Sequence, residues 1–353
     1  MQSFTNLAIA SIFAAALPGW CGDWSPRLAA DYLDSRQREW AAWPPAKATG
    51  GTCVSCHTGA TYLLARPALR RALGETQPTA YETGLLDGLR ARVEMTDANK
   101  LTPAVRKEPR ASEAVGVESI FAALFLAPQG AGKSTLSAEA EKAFDRMWSL
   151  QKPGGWAWFS LNLDPWEMPQ SQFYGATLAA LATAAAPLEY RNRANVKEHL
   201  ATLTAYLERE QRGQPMHNRL MALWASAKLP EALSAPVRHE IIDELWLSQQ
   251  ADGGWTMLSL GPWAKHETAP ASTGSASYAT ALVAFILQQA GVRVDDKRLH
   301  RALDWLRAHQ DRQSGSWAAD SMNKVYPPDS MQVKFMRDAA TSFAVLALLE
   351  SGL

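Results

Sequence analysis

Gln249-Gln250-Ala251-Asp252-Gly253-Gly254-Trp255 ends one amphipathic segment and opens a turn, and the chain makes nearly the same move twice more. The helix before it reads Ile242-Asp243-Glu244-Leu245-Trp246-Leu247-Ser248. Its counterparts are Phe144-Asp145-Arg146-Met147-Trp148-Ser149-Leu150-Gln151 and Leu303-Asp304-Trp305-Leu306-Arg307-Ala308-His309-Gln310. Glycine and tryptophan follow each time, at Gly154-Gly155-Trp156, Gly253-Gly254-Trp255 and Gly315-Ser316-Trp317. After a further loop comes a helix of small residues: Gln172 to Leu178, Ser277 to Leu282 and Thr341 to Leu346. A unit without the Gly-Trp turn occupies 195–229. Glycine permits the left-handed exit from a helix, and tryptophan fills the space between neighbours. A single helical hairpin cannot bury its own apolar faces, so hairpins of this kind stack. The amphipathic helices suit an outer ring and the alanine-rich ones a crowded inner ring.

At these residues the sequence resembles the squalene–hopene cyclase and protein prenyltransferase group of α/α toroids, whose repeat motif is Q-x-x-D-G-x-W. Gln249, Asp252, Gly253 and Trp255 match it fully. The copy at Gln151 to Trp156 is one residue short, and that at Gln310 to Trp317 one residue long. The resemblance covers about two-thirds of the chain and implies the fold more than an activity. In the cyclases it would imply a D-x-D-D motif opening an inner helix, whose central aspartate protonates an alkene. Asp338 is the only acid at the inner-helix starts, in Arg337-Asp338-Ala339-Ala340-Thr341, and Ala339 falls where the catalytic aspartate belongs. Asp338 is expected to be the N-cap of the last helix. Asp295 and Asp296 read as a solvated helix start. The zinc site of the prenyltransferases would need a cysteine on the toroid, and none follows Cys56.

The second motif is Cys53-Val54-Ser55-Cys56-His57. Two thiols three positions apart on one turn can add to the two vinyl groups of one haem, and the adjacent imidazole meets the iron from the same side. A zinc half-site would need two more ligands. A thioredoxin-like pair would need a preceding strand, whereas 44–51 reads as a loop. Upstream, Ser25 caps and Pro26 opens a helix carrying Leu28, Tyr32, Leu33, Trp40 and Trp43, stopped by Pro44-Pro45. Another helix is expected from Thr61 to Leu73. Locally this resembles the cytochrome c family, which implies one covalent haem c on Cys53 and Cys56 with His57 as the proximal iron ligand. It also implies a distal methionine: Met95 is the first candidate, and Met168, Met216 and His217 are rivals from farther along.

The apolar run from Leu7 to Leu17 fits a secretory signal over residues 1–22, although its n-region lacks Lys and Arg. It is too short to span a bilayer, so no transmembrane helix is expected and the protein is expected to be periplasmic or otherwise exported. Lys+Arg and Asp+Glu balance at 35 each, which gives nucleic acid no electrostatic footprint. Ala127 to Ser134 fits a loose P-loop pattern, but Val117, Ile120, Phe121, Leu124 and Phe125 before it have helical rather than strand spacing. An inter-helix loop is expected there, with no ATP. Trp156-Ala157-Trp158, Pro165-Trp166-Glu167 and Pro262-Trp263 read as loop packing or as the rim of a central apolar cavity. His217, His266 and Glu267 read as ordinary polar residues. The chain is thus expected to be all-α, a cytochrome c-like haem-binding segment over 23–110 joined to an α/α toroid over 111–353. Counting helices (about four before residue 130 and eight after) allows six hairpins in all. The expected function is electron transfer with a redox partner protein, or haem-dependent oxidoreductase chemistry on an apolar, isoprenoid-like ligand. The alternatives are a terpenoid cyclase or isomerase with a structural haem, and a non-enzymatic binding or scaffold protein.

Overall fold

The computed structural model describes residues 24–94, 101–130, 134–264, 266–269 and 273–352. The expected signal segment, Met95 and residues 131–133 of the P-loop-like run lie outside them. The described residues are predominantly helical. Helices α1 (Pro26–Ala42), α2 (Gly59–Ala72), α3 (Ala80–Arg92) and α4 (Arg110–Leu126) precede residue 130. After it come α5 (Ala138–Ser149), α6 (Ser171–Ala185), α7 (Leu188–Arg191), α8 (Ala194–Glu210) and α9 (Met216–Lys228). The last four are α10 (Ala235–Leu247), α11 (Ser277–Gln289), α12 (Lys297–Ala308) and α13 (Phe335–Glu350). The one-turn α7 is the helix that periodicity did not predict. Between α1 and α2, strands β1 (Lys47–Ala48) and β2 (Gly51–Thr52) pair antiparallel where a plain loop was expected.

The two helix types differ in burial as their sequences predict. In α12 only Leu299, Ala302, Leu303, Trp305 and Leu306 are buried, one stripe of an otherwise solvated helix. In α11 every residue from Ser277 to Leu287 is buried. The crowded helices are neighbours in the order α4, α6, α9, α11, α13, α2, so the last hairpin packs against the first. One apolar cluster runs from Trp24 to Leu348. The expected boundary after residue 110 falls just inside α4, and α4 packs on α3.

The repeat residues are fasteners. Each tryptophan is fully buried and donates its indole N–H to a carbonyl at the end of the preceding helix. The pairs are Trp156 to Met147 (2.6 Å), Trp255 to Leu245 (2.8 Å) and Trp317 to Leu306 (2.7 Å). These carbonyls belong to the last turn, where helical partners run out. Gly155, Gly253 and Gly315 make the exit at φ of 95°, 96° and 75°. Each glutamine reaches the next amphipathic helix. Gln151 donates to the His199 carbonyl of α8, and Gln249 to the Arg298 carbonyl of α12. Gln310 donates to the Ser25 carbonyl (3.0 Å) and accepts from the Ser25 N–H (2.6 Å), at the start of α1. A Cβ at Gly315 would come within 2.3 Å of the Leu28 backbone, so this turn and α1 are in direct contact.

Candidate functional site

The Cys53 to His57 run lies on the loop from β2 into α2 and is held on several sides. Trp40 of α1 donates its indole N–H to the Cys53 carbonyl at 2.9 Å. Arg92, buried against Glu118 (2.6 Å), donates to the carbonyls of Thr49 and Thr52. Ser55, between the two cysteines, accepts from the backbone N–H of Thr58 and Gly59, both at 3.0 Å, and so satisfies the first donors of α2. Cys53 is half-buried and Cys56 buried, and both are free. Burial, reinforced by Glu118, pushes the Cys53 thiol up to about 12, and burial with Glu167 nearby pushes Cys56 up as well. Both are therefore thiols at neutral pH. A redox-active C-x-x-C pair needs a lowered thiol pKa instead.

The His57 ring sits in an aromatic cage. It stacks on Phe335 at 3.6 Å between centroids, meets the edge of Trp40 at 5.8 Å, and lies 6.0 Å from Trp166. Burial, with the Arg36 charge adding to it, lowers its pKa to about 3, so the imidazole is neutral. His57 Nδ1 lies 3.0 Å from Thr58 Oγ1. That hydroxyl donates to Asp338 Oδ2 at 2.7 Å, so the hydroxyl oxygen accepts from Nδ1–H. The Nε2 lone pair is then the one left for a ligand.

Asp338 corrects an expectation. It is not the N-cap of α13, whose first residue is Phe335, but a buried carboxylate at the junction of three helices. It accepts from Arg36 Nε (2.8 Å) and Nη2 (3.1 Å), from Tyr32 Oη (2.9 Å) and from Thr58. Burial pushes the carboxyl up from its usual range, while Arg36, Thr58 and Tyr32 pull it down. Four donors, two of them from a guanidinium, match the ionised form. Arg36 also pairs with Glu39. The acid is thus committed to partners from α1 and α2.

The distal candidates are scattered. Met168 is buried, Met216 is half-buried at the start of α9, and Met95 lies outside the described residues. His217 is fully buried, with both ring nitrogens engaged. Nε2 is 3.0 Å from the Tyr278 hydroxyl, and Nδ1 is 3.3 Å from Asn218 Oδ1. Its ring is surrounded by Tyr174, Trp263 and Tyr278. Tyr278 in turn meets Trp166 edge-on at 5.5 Å, so aromatic rings run continuously from His57 to His217. Sequence reasoning passed over Glu167. Burial pushes it up to about 7, against the lowering effect of Arg110, and its charge is felt at Cys56.

Burial lowers His217 to about 4, opposed by its contact with Asn218. The unfolded chain binds a proton near pH 6.5 that the folded one refuses, so stability falls as pH drops from about 6.5 to 4. The expected loss from this group is about 3 kcal/mol. Urea unfolding at pH 7 and 4.5 will show a smaller fall for His217→Gln than for the wild type. Equal falls would mean that His217 does not carry the linkage.

Next to this aromatic core lies a cavity of about 890 Å³. Met257, Leu258, Trp263, Tyr278, Met322 and Met336 contribute its apolar wall, and Asp252, His266 and Asp320 are among its polar groups. Tyr278 touches Trp166, and Met336 follows Phe335 in the chain, so the cavity and the His57 cage share a partition. Trp263 does rim a cavity. Trp156 and Trp158 are buried packing, each bonded to a backbone carbonyl.

No family model matches the chain, and no curated protein matches it. Nineteen chains of solved structures match. One is a polysaccharide lyase, 13% identical, with a TM-score of 0.50 over 92% of this chain and 96% of that one. The likeness is one of fold alone. Among the described residues, no helix is long and apolar enough to cross a membrane.

Proposed function

We propose that this is an exported monohaem c-type protein, in which a haem-binding loop of the cytochrome c kind forms the first turn of a six-hairpin α/α toroid. Cys53 and Cys56 would carry haem c through thioether bonds, and His57 would ligate the iron. Six crowded helices in the order α4, α6, α9, α11, α13, α2, each with a second helix packed on it (α5 on α4, α8 on α6, α10 on α9, α12 on α11, α1 on α13 and α3 on α2), support the six hairpins. So does the contact of α13 with α2.

The observation that carries the haem reading is the setting of His57: neutral, caged by aromatic rings, and hydrogen-bonded at Nδ1 so that Nε2 is the free donor. Cys53 and Cys56 are both free, as thioether attachment requires. When bound, haem c supplies a one-electron couple. The chain's own part is to hold the imidazole, exclude water with Trp40, Trp166 and Phe335, and offer a ligand space beyond the partition. That cavity has the size of cofactor and small-molecule sites, and its methionine, leucine and tryptophan wall suits an apolar ligand. Function is then electron exchange with a redox partner protein or oxidoreductase chemistry on that ligand. A terpenoid cyclase would need a free acid on an inner helix, and Asp338 is bound to four donors.

Expression with a c-type maturation system should give a band that keeps its haem stain on a denaturing gel. Cys53→Ala/Cys56→Ala should lose it completely. An unstained wild-type band, or equal staining of the two, would overturn the haem reading.

A further inference from the structure

We infer that Thr58 and Asp338 are positioning residues for His57, a hydroxyl relay that fixes which ring nitrogen carries the proton and leaves Nε2 as the donor. The inference rests on the haem reading for its use and on geometry alone for its existence. Three facts make the relay directional. Asp338 is an acceptor only, with a guanidinium at 2.8 Å to hold it ionised. Thr58 has one hydroxyl proton, and the 2.7 Å contact to Asp338 takes it. The hydroxyl oxygen must then accept from His57, which places the imidazole proton on Nδ1. A ring flipped by 180° would keep its stacking on Phe335 but would turn a carbon toward Thr58, so the hydrogen bond selects this orientation.

The pairing also spans the molecule. His57 and Thr58 precede α2, Asp338 lies in α13, and Tyr32 and Arg36 belong to α1. The orientation of the imidazole therefore depends on the contact between the first and last hairpins. A ligating histidine whose second nitrogen donates toward a carboxylate is a more basic ligand, and a more basic ligand favours the ferric state. Losing the relay should move the reduction potential upward.

Thr58→Val removes the hydroxyl while keeping the shape and leaving the Arg36–Asp338 pair intact, and Thr58→Ser restores the hydroxyl. In the unloaded protein, nitrogen-15 shifts of His57 should report the Nδ1–H tautomer for wild type and Thr58→Ser, and a mixture for Thr58→Val. In the haem-loaded protein, Thr58→Val should keep full haem staining. Its ferric-over-ferrous preference should fall about tenfold, a rise of about 59 mV for a one-electron couple, with Thr58→Ser near wild type. An unchanged tautomer in the unloaded Thr58→Val protein overturns the relay, whether or not haem attaches. An unstained wild type overturns the haem reading and leaves the nitrogen-15 result to decide the relay.

Discussion

Arg36→Ala should destabilise the fold by about 3–5 kcal/mol, the range seen when one partner of a buried ion pair is removed. The side chains of Arg36 and Asp338 are 2% and 1% exposed, so water cannot replace the lost guanidinium. Asp338 would keep Tyr32 and Thr58 as donors but would face no compensating charge. The double variant Arg36→Met/Asp338→Leu removes both charges and should recover most of the loss, because apolar packing of similar volume often equals a buried pair. Urea midpoints for wild type, Arg36→Met, Asp338→Leu and the double variant complete the cycle. A double variant no more stable than Arg36→Ala would mean that Arg36 acts by packing and not by charge.

Trp255→Ala should cost a similar amount, about 3–5 kcal/mol, because it empties a fully buried indole site. Trp255 fills the angle between α10 and α11 and fastens the end of α10 through Leu245. The Leu245 carbonyl also accepts from Ser248, through both its N–H and its hydroxyl. Trp255→Phe, which keeps most of the volume and loses only the indole donor, should therefore cost much less. Thermal melts of the two variants will separate filling from fastening. If both lose the same amount, the hydrogen bond dominates, contrary to expectation.

The repeats were legible because their residues have local jobs. Trp255, Gly253 and Gln249 act on one helix end and its neighbour, and the same spacing recurs at Trp156 and Trp317. The start of α1 was legible for the same reason: Ser25 does accept from Leu28 N–H, as a cap before proline should. What could not be read was who meets whom. Nothing in the spacing joins Gln310 to Ser25, 285 positions apart, or Thr58 to Asp338. Asp338 was misread because an acid in a first helical turn is usually solvated. A signal existed in α1, where Arg36 stands four residues from both Tyr32 and Trp40, on the stripe otherwise expected to be apolar. A charge on a buried stripe requires a counter-charge from elsewhere, and the sequence did not say which of its acids would supply it. Glu167 escaped because an acid beside Pro165-Trp166 looks like ordinary loop polarity until its half-buried place near Cys56 is seen.

The clasp between Gln310 and Ser25 bears on how the molecule comes apart. In an open stack of repeats, each end has a bare face, and unfolding starts there and runs inward. With α13 against α2 and Gln310 on Ser25, the first and last hairpins have neighbours on both sides, and neither is a natural fraying point. Amide protons of α1 and α13 should then exchange as slowly as those of α6 and α9, and be lost in one cooperative event. The His57 loop, anchored across that same seam, would keep its shape until the contact between the first and last hairpins opens.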